Sequence, residues 1–175
     1  MEKDLYTVGE EYVEARVVES LSDLLLSLTL WKWGYTRNSA GKAFSAVRAL
    51  LSALVVINEE KLVNLAKSDE EKEWIKKKAH IVPTQSMYAL AQILRKIGVD
   101  IVNLVRMVLD LHQYQYNGFE PGFSIYNRKE DVFSDLITVV RETRNIMYTY
   151  FPKYEIKEIS EKIERLIKEL MEGSE

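Results

Sequence analysis

Two histidines are all the imidazole this chain contains, and one of them stands six residues after an arginine. The segment Arg106-Met107-Val108-Leu109-Asp110-Leu111-His112 closes an apolar helical run and leads into Gln113-Tyr114-Gln115-Tyr116-Asn117-Gly118. An arginine holds phosphate oxygens as a permanent cation. A histidine moves a proton near neutral pH. Together they are the parts of a metal-independent RNA cleavage, in which the substrate's own 2′-hydroxyl attacks the neighbouring phosphorus and no protein nucleophile is needed. Asp110 lies between them as a further polar candidate. On one helix, however, a six-residue step separates two side chains by about 9 Å along the axis and roughly 120° around it. One protomer therefore aligns the pair poorly, whereas a two-fold dimer could assemble a shared cleft from both copies. The plainer alternative is that His112, in a last helical turn, bonds the final carbonyls.

Other polar constellations surround this pair in sequence. Tyr114, Tyr116, Phe119, Phe123 and Tyr126 crowd the segment after His112, where aromatic rings either stack on unpaired bases or pack the loop onto a core, the preferred reading. Lys42, Ser45, Arg48 and Ser52 recur at steps of three and four residues as one narrow stripe. Such a stripe usually faces water; the alternative is an anion-facing groove with Lys42 and Arg48 as its cations. His80 follows Lys76-Lys77-Lys78-Ala79, where a cation at a helix end suits the helix dipole, so it reads as structural, with contact of the lysines to nucleic acid as the lesser alternative.

Several site types are missing. There is no cysteine, hence no disulfide, thiolate metal site or thiol nucleophile. No glycine-rich loop cradles a phosphate, and no Gly-x-Ser-x-Gly positions a serine. Lys77 and Leu109 stand three residues before the histidines, so the Glu-x-x-His pairs of a di-iron bundle are absent. These patterns imply no cofactor and no metal.

The elements that must position these residues read as long helices. The chain has 175 residues, seven glycines and three prolines, and nearly all of these breakers fall where helical periodicity stops. With 47% hydrophobic and 29% charged residues, it fits a compact globule with a substantial core. The first helix spans Glu10 to about Trp33, with Val13, Val17, Leu21, Leu24, Leu25 and Leu28 on one face, and Gly34 ends it. Asn38 or Ser39 caps a second helix reaching Ile57, apolar almost all round and so the central one. Ala46, Ala49 and Ala53 let a neighbour approach closely. A charged segment follows, and Ser68-Asp69-Glu70-Glu71 opens a short helix as a capping box. Further helices cover Met87–Ile97, Ile101–Tyr116 with Asp100 as cap, Lys129–Tyr150 and Ile156–Met171, and a loop fills Asn117–Asn127. The expectation is one all-α, up-down helical bundle over residues 1–155, with residues 156–175 an accessory amphipathic helix of the same domain.

A net charge of −3 disfavours a broad grip on nucleic acid but leaves room for a local basic patch. The runs Leu24–Trp31 and Ala49–Ile57 fall short of the roughly 18–20 residues that span a bilayer, and Met1-Glu2-Lys3-Asp4 lacks the start of a signal peptide. A cytoplasmic protein, with no membrane association, is the expectation. Abundant Lys, Glu and Ile resemble the composition of heat-adapted proteins.

From about Asn38 to Thr143 the chain resembles the HEPN superfamily and, within it, the archaeal PaREP-like helical proteins. Ala40-Gly41-Lys42-Ala43-Phe44-Ser45-Ala46-Val47-Arg48-Ala49-Leu50 is similar to the alanine-rich second helix of that superfamily. Leu111 to Gly118, a loop and then Glu130-Asp131-Val132 resemble the segment before its last core helix. The resemblance implies a homodimer, and active members carry Arg, four to six residues, then His where Arg106 and His112 stand. They also carry Asn, Asp or His directly after the arginine, where this chain has Met107. Arg144-Asn145 has that pair, but Thr149 then occupies the histidine position. The resemblance thus implies first a non-catalytic module that binds a nucleotide, RNA or a protein such as a nucleotidyltransferase. Its alternative is a metal-independent ribonuclease with Arg106 on phosphate and His112 as general acid or base. Lys42, Arg48, Asp110, Tyr114 and Tyr116 are the candidate binding residues in either case.

Overall fold

A computed structural model of the chain describes residues 9–173, and these form an all-α bundle with no strand among them. Met1 to Asp4, the start of the expected leaderless terminus, lie outside the described residues. Helix α1 (Glu10–Lys32) buries Val13, Val17, Leu21, Leu24 and Leu28 on the face expected from their spacing. It ends in a left-handed glycine, Gly34 at φ +86°. The Gly34 N–H donates to the Trp31 carbonyl and the Tyr35 N–H to that of Leu30, both at 2.9 Å, which satisfies two last carbonyls and reverses the chain.

Helix α2 (Thr36–Ile57) therefore starts before Asn38 and Ser39, so neither caps it. Ser39 is instead spent on the helix seam. The Ser27 hydroxyl donates to the Ser39 carbonyl at 2.8 Å and meets the Ser39 Oγ at 3.2 Å, while the Ser20 hydroxyl donates to the Ala46 carbonyl at 2.6 Å. Ala40, Ala43, Ala46 and Ala53 are fully buried, and side chains no larger than a methyl let α1 and its neighbours close onto α2. Contrary to the expectation from its shorter apolar runs, α2 is long and apolar enough to cross a bilayer. Its most apolar 18-residue window is 72% buried inside the protein, so that apolarity is used by the core.

The charged segment after α2 folds as a helix that periodicity did not mark, α3 (Glu59–Leu65), seated by the buried Leu62. Helix α4 (Asp69–Lys78) has the expected capping serine, whose Oγ accepts the Glu71 N–H at 3.1 Å. Glu71 reaches back to the Lys67 N–H at 2.7 Å, one residue beyond the usual donor of a capping box. A 3-10 turn, Ala79–Ile81, then leads to Val82, a buried β-branched residue at φ +50°. Helices α5 (Met87–Lys96), α6 (Val102–Asn117) and α7 (Lys129–Tyr150) complete the core, and Asp100 accepts the Val102 N–H at 3.2 Å. Helix α8 (Lys157–Glu172) lays Ile163 and Ile167 onto α1.

Candidate functional site

The C-terminal half of α6 docks on the first turns of α2, and this junction holds His112. Gly41 makes room for one side chain: Gln115 lies where a Cβ on residue 41 would be, with Cδ and Nε2 only 2.5 Å from that point. Thr36 Oγ1 meets the Tyr114 hydroxyl at 2.8 Å. Arg37 donates from Nε to the Gln115 carbonyl at 2.8 Å and from a terminal nitrogen to that of Tyr116, closing the carbonyl end of α6 with a cation.

Within that frame the His112 ring stacks on Phe44, with centroids 3.8 Å apart and planes at 15°, and meets Tyr116 edge-on at 5.1 Å. Its Nδ1 lies 3.3 Å from Gln115 Oε1. Arg48, one turn after Phe44, places its guanidinium over the other ring of the stack, 5.9 Å from the Phe44 centroid. Burial of the imidazole pushes its pKa below the ordinary histidine value, and the Arg48 charge adds to that, against the opposing bond to Gln115. Burial thus favours the neutral form of the His112 ring. Its ring contacts, and not the last carbonyls of the helix, hold it. Tyr116 remains 65% exposed beside it.

The other sequence candidates divide between this platform and the scaffold. Arg106 is turned to α5: it donates to the Tyr88 hydroxyl at 2.7 Å and its guanidinium lies over the Tyr88 ring. One protomer thus does not bring Arg106 and His112 together, in keeping with their angular separation on α6. Lys42 is paired with Asp23 across the α1–α2 seam at 3.1 Å. Asp110 is half-buried, and its carboxyl is raised above the usual range by burial and then by the neighbouring charge of Asp135. The Tyr126 hydroxyl donates to Asp135 at 2.6 Å. Tyr114 is buried, packed against Phe119 and Tyr126, so it supports the loop and presents no face to a ligand. The decoy Arg144 is buried between Glu164 and the Tyr148 hydroxyl and ties α8 to α7.

Three contributors to the platform were not singled out from sequence. Phe44 and Gln115 act through a contact between helices some seventy residues apart, which no local pattern encodes. Arg37 carried the one available signal, a lone cation in the first turn of an apolar helix.

A protein-family model for archaeal PaREP1/PaREP8 proteins matches residues 15–137. The chain belongs to the archaeal PaREP1/PaREP8 family. The match runs from α1 into α7, so it takes in most of α1, which the resemblance beginning near Asn38 left out. No curated protein and no solved structure matches this PaREP1/PaREP8 chain.

Proposed function

We propose that this PaREP1/PaREP8 protein is a non-catalytic, HEPN-like module that binds single-stranded RNA as a homodimer, with the α2–α6 junction as its contact surface. The observation that carries the reading is the platform itself: the His112 ring packed on Phe44, an exposed Tyr116 beside it and Arg48 with no carboxylate partner among the described residues. Exposed aromatic faces stack on bases of any sequence, and an adjacent guanidinium neutralises the strand's phosphates. The local cations Arg37 and Arg48 supply this on a chain whose net charge is −3, Lys42 being paired with Asp23. Met107, in place of the polar residue that follows the arginine in active HEPN ribonucleases, favours binding over cleavage.

A specific observation keeps the ribonuclease as second reading. His112 is partly buried, and that burial favours the neutral ring, the form a general base requires. Its arginine would then come from Arg106 of a second copy, because Arg106 of the same chain is held on Tyr88.

Fluorescence anisotropy with a labelled mixed-sequence RNA tests the proposal, alongside a denaturing gel in excess chelator. Binding on the order of 10⁻⁶–10⁻⁴ M is expected, weakened about tenfold by Tyr116→Ala or Arg48→Ala and unchanged by Arg106→Ala. Absence of binding refutes the module. Cleavage that disappears in both Arg106→Ala and His112→Ala replaces it with the ribonuclease.

A further inference from the structure

Arg48 faces two ways. On its other side, Ser45, Arg48 and Ser52 of α2 form one wall of a recess of about 40 Å³ closed by Tyr12 and Arg16 of α1 and by His80 in the 79–81 turn. We infer that this recess is a phosphate-binding site.

The hydroxyls around it are already committed. Tyr12 and Ser52 both donate to the His80 carbonyl, and Ser45 donates to the Gly41 carbonyl. Three buried side-chain atoms around it remain unspent: two nitrogens and one acceptor, Glu19 Oε2. Arg16 Nε and His80 Nδ1 are both fully buried without a hydrogen-bond partner, and Arg48 has no ion pair among the described residues. Buried polar nitrogens are rarely left in that condition without a ligand or ion to satisfy them; the Arg16 Nε–H is a donor outright, and His80 Nδ1 is one in the form that carries its proton there. The recess has room for about three water-sized spheres, enough for the oxygens of one phosphate group and far too little for a base or a sugar. Its lining is mostly polar, with Ala49 and Ile81 the aliphatic exceptions, so an apolar guest has little to bury against.

Glu19 is the one opposing charge. Its Oε2 lies 2.8 Å from a terminal nitrogen of Arg16, yet no aligned hydrogen bond joins them. Arg16 is therefore neutralised without being used up, and Arg48 leaves the recess with a net positive charge.

The backbone holds this geometry under strain. Val82, two residues after His80, is a buried β-branched residue in the left-handed region, a conformation that persists only where the surroundings enforce it. The Val82 N–H donates to the Ala79 carbonyl at 3.1 Å, and the two hydroxyls on the His80 carbonyl and the edge-on Tyr12 ring, 5.7 Å from the imidazole, hold His80 beside the recess.

Phosphate here has two sources, a free ion or the end of an RNA strand, and only the second rests on the function proposed above. Calorimetric titration with inorganic phosphate reads the site alone. Saturable binding is expected, weakened about tenfold by Arg16→Gln and by His80→Gln, and tightened by Glu19→Gln. Arg16→Lys, which keeps the charge without the Nε donor, covers the case in which Arg16→Gln fails to fold. No saturation in the parent protein, or binding unchanged in both the Arg16 and His80 variants, overturns the inference. Anisotropy with one RNA carrying a 5′-phosphate or a 5′-hydroxyl then separates the sources. Tighter binding of the phosphorylated strand, lost in Arg16→Gln, assigns the site to RNA ends. Equal binding of the two strands, with phosphate still bound, assigns it to the free ion. The RNA platform is judged separately by Tyr116→Ala, so either idea can fail without the other.

Discussion

Replacing Gly41 by alanine tests how α6 rests on α2. A glycine inside a helix costs about 1 kcal/mol relative to alanine, so the substitution starts with that gain. Against it, the new Cβ would lie 2.5 Å from Gln115 Cδ and Nε2 and 2.8 Å from its Oε1. All three atoms are the far end of a rotatable side chain, so Gln115 swings aside while the α6 backbone stays. The loss is the 3.3 Å contact of Gln115 with His112, a long hydrogen bond within the ~0.5–1.5 kcal/mol range, together with the packing of that side chain. Gain and loss nearly cancel. Gly41→Ala should leave stability within about 1 kcal/mol of the parent, or ~2–4 °C in Tm for a chain of this size. In a Gln115→Ala background the obstacle is gone, and the same change should stabilise by the full ~1 kcal/mol. Urea unfolding of the four proteins, followed by circular dichroism, measures that coupling. An identical effect of Gly41→Ala in both backgrounds would show that the contact carries no energy. A loss beyond about 3 kcal/mol in both would mean that the main chain of α6 is the obstacle.

Glu164→Ala should cost about 2–3 kcal/mol, because it leaves the buried Arg144 charge short of a partner, with the 63% exposure of Glu164 keeping the figure below that of a fully buried pair; Arg144→Met, which removes the charge itself, should cost less, and the reverse order in urea unfolding would refute the assignment. The pKa of His112 lies below its unfolded value of about 6.5, so its contribution is fully present above that pH and is lost as pH falls through the folded value. His112→Gln should therefore flatten the decline in Tm between pH 7 and 5, and an unchanged slope would contradict it. Gln115→Met keeps the bulk but removes the acceptor that favours the protonated ring, so NMR titration of His112 should show a still lower pKa; a rise would mean that Gln115 acts chiefly by burying the ring.

The helices were legible because their apolar residues repeat with the helical period over four or five turns and their ends carry Gly34, Ser68, Asp100 or Pro152. Where that signal was short or spent elsewhere, the reading slipped. α3 has one buried anchor, Leu62, among charges, too few positions to define a period. Asn38 and Ser39 have the chemistry of caps, but the Schellman turn at Gly34 starts α2 earlier, and Ser39 joins Ser27 in the seam. The stripe Lys42, Ser45, Arg48 and Ser52 was visible as a pattern. Its preferred reading as a solvated edge fits the exposed Arg48 and the half-buried Lys42 and Ser45, whereas Ser52 is buried under α1 and the His80 turn.

The sequence alone determined the all-α class, the length and order of most helices, the central place of α2 and the poor alignment of Arg106 with His112. Each of these follows from local periodicity or from rotation along one helix, and both are properties of neighbouring residues. The tertiary structure alone decided which side chains meet: His112 with Phe44, Gln115 with Gly41, Arg144 with Glu164, and Arg16, Arg48 and His80 around one recess. Those pairings depend on how closely helices distant in sequence approach and how they are turned. That geometry is set by the size of every residue in the seam at once, so no single segment of the chain contains it.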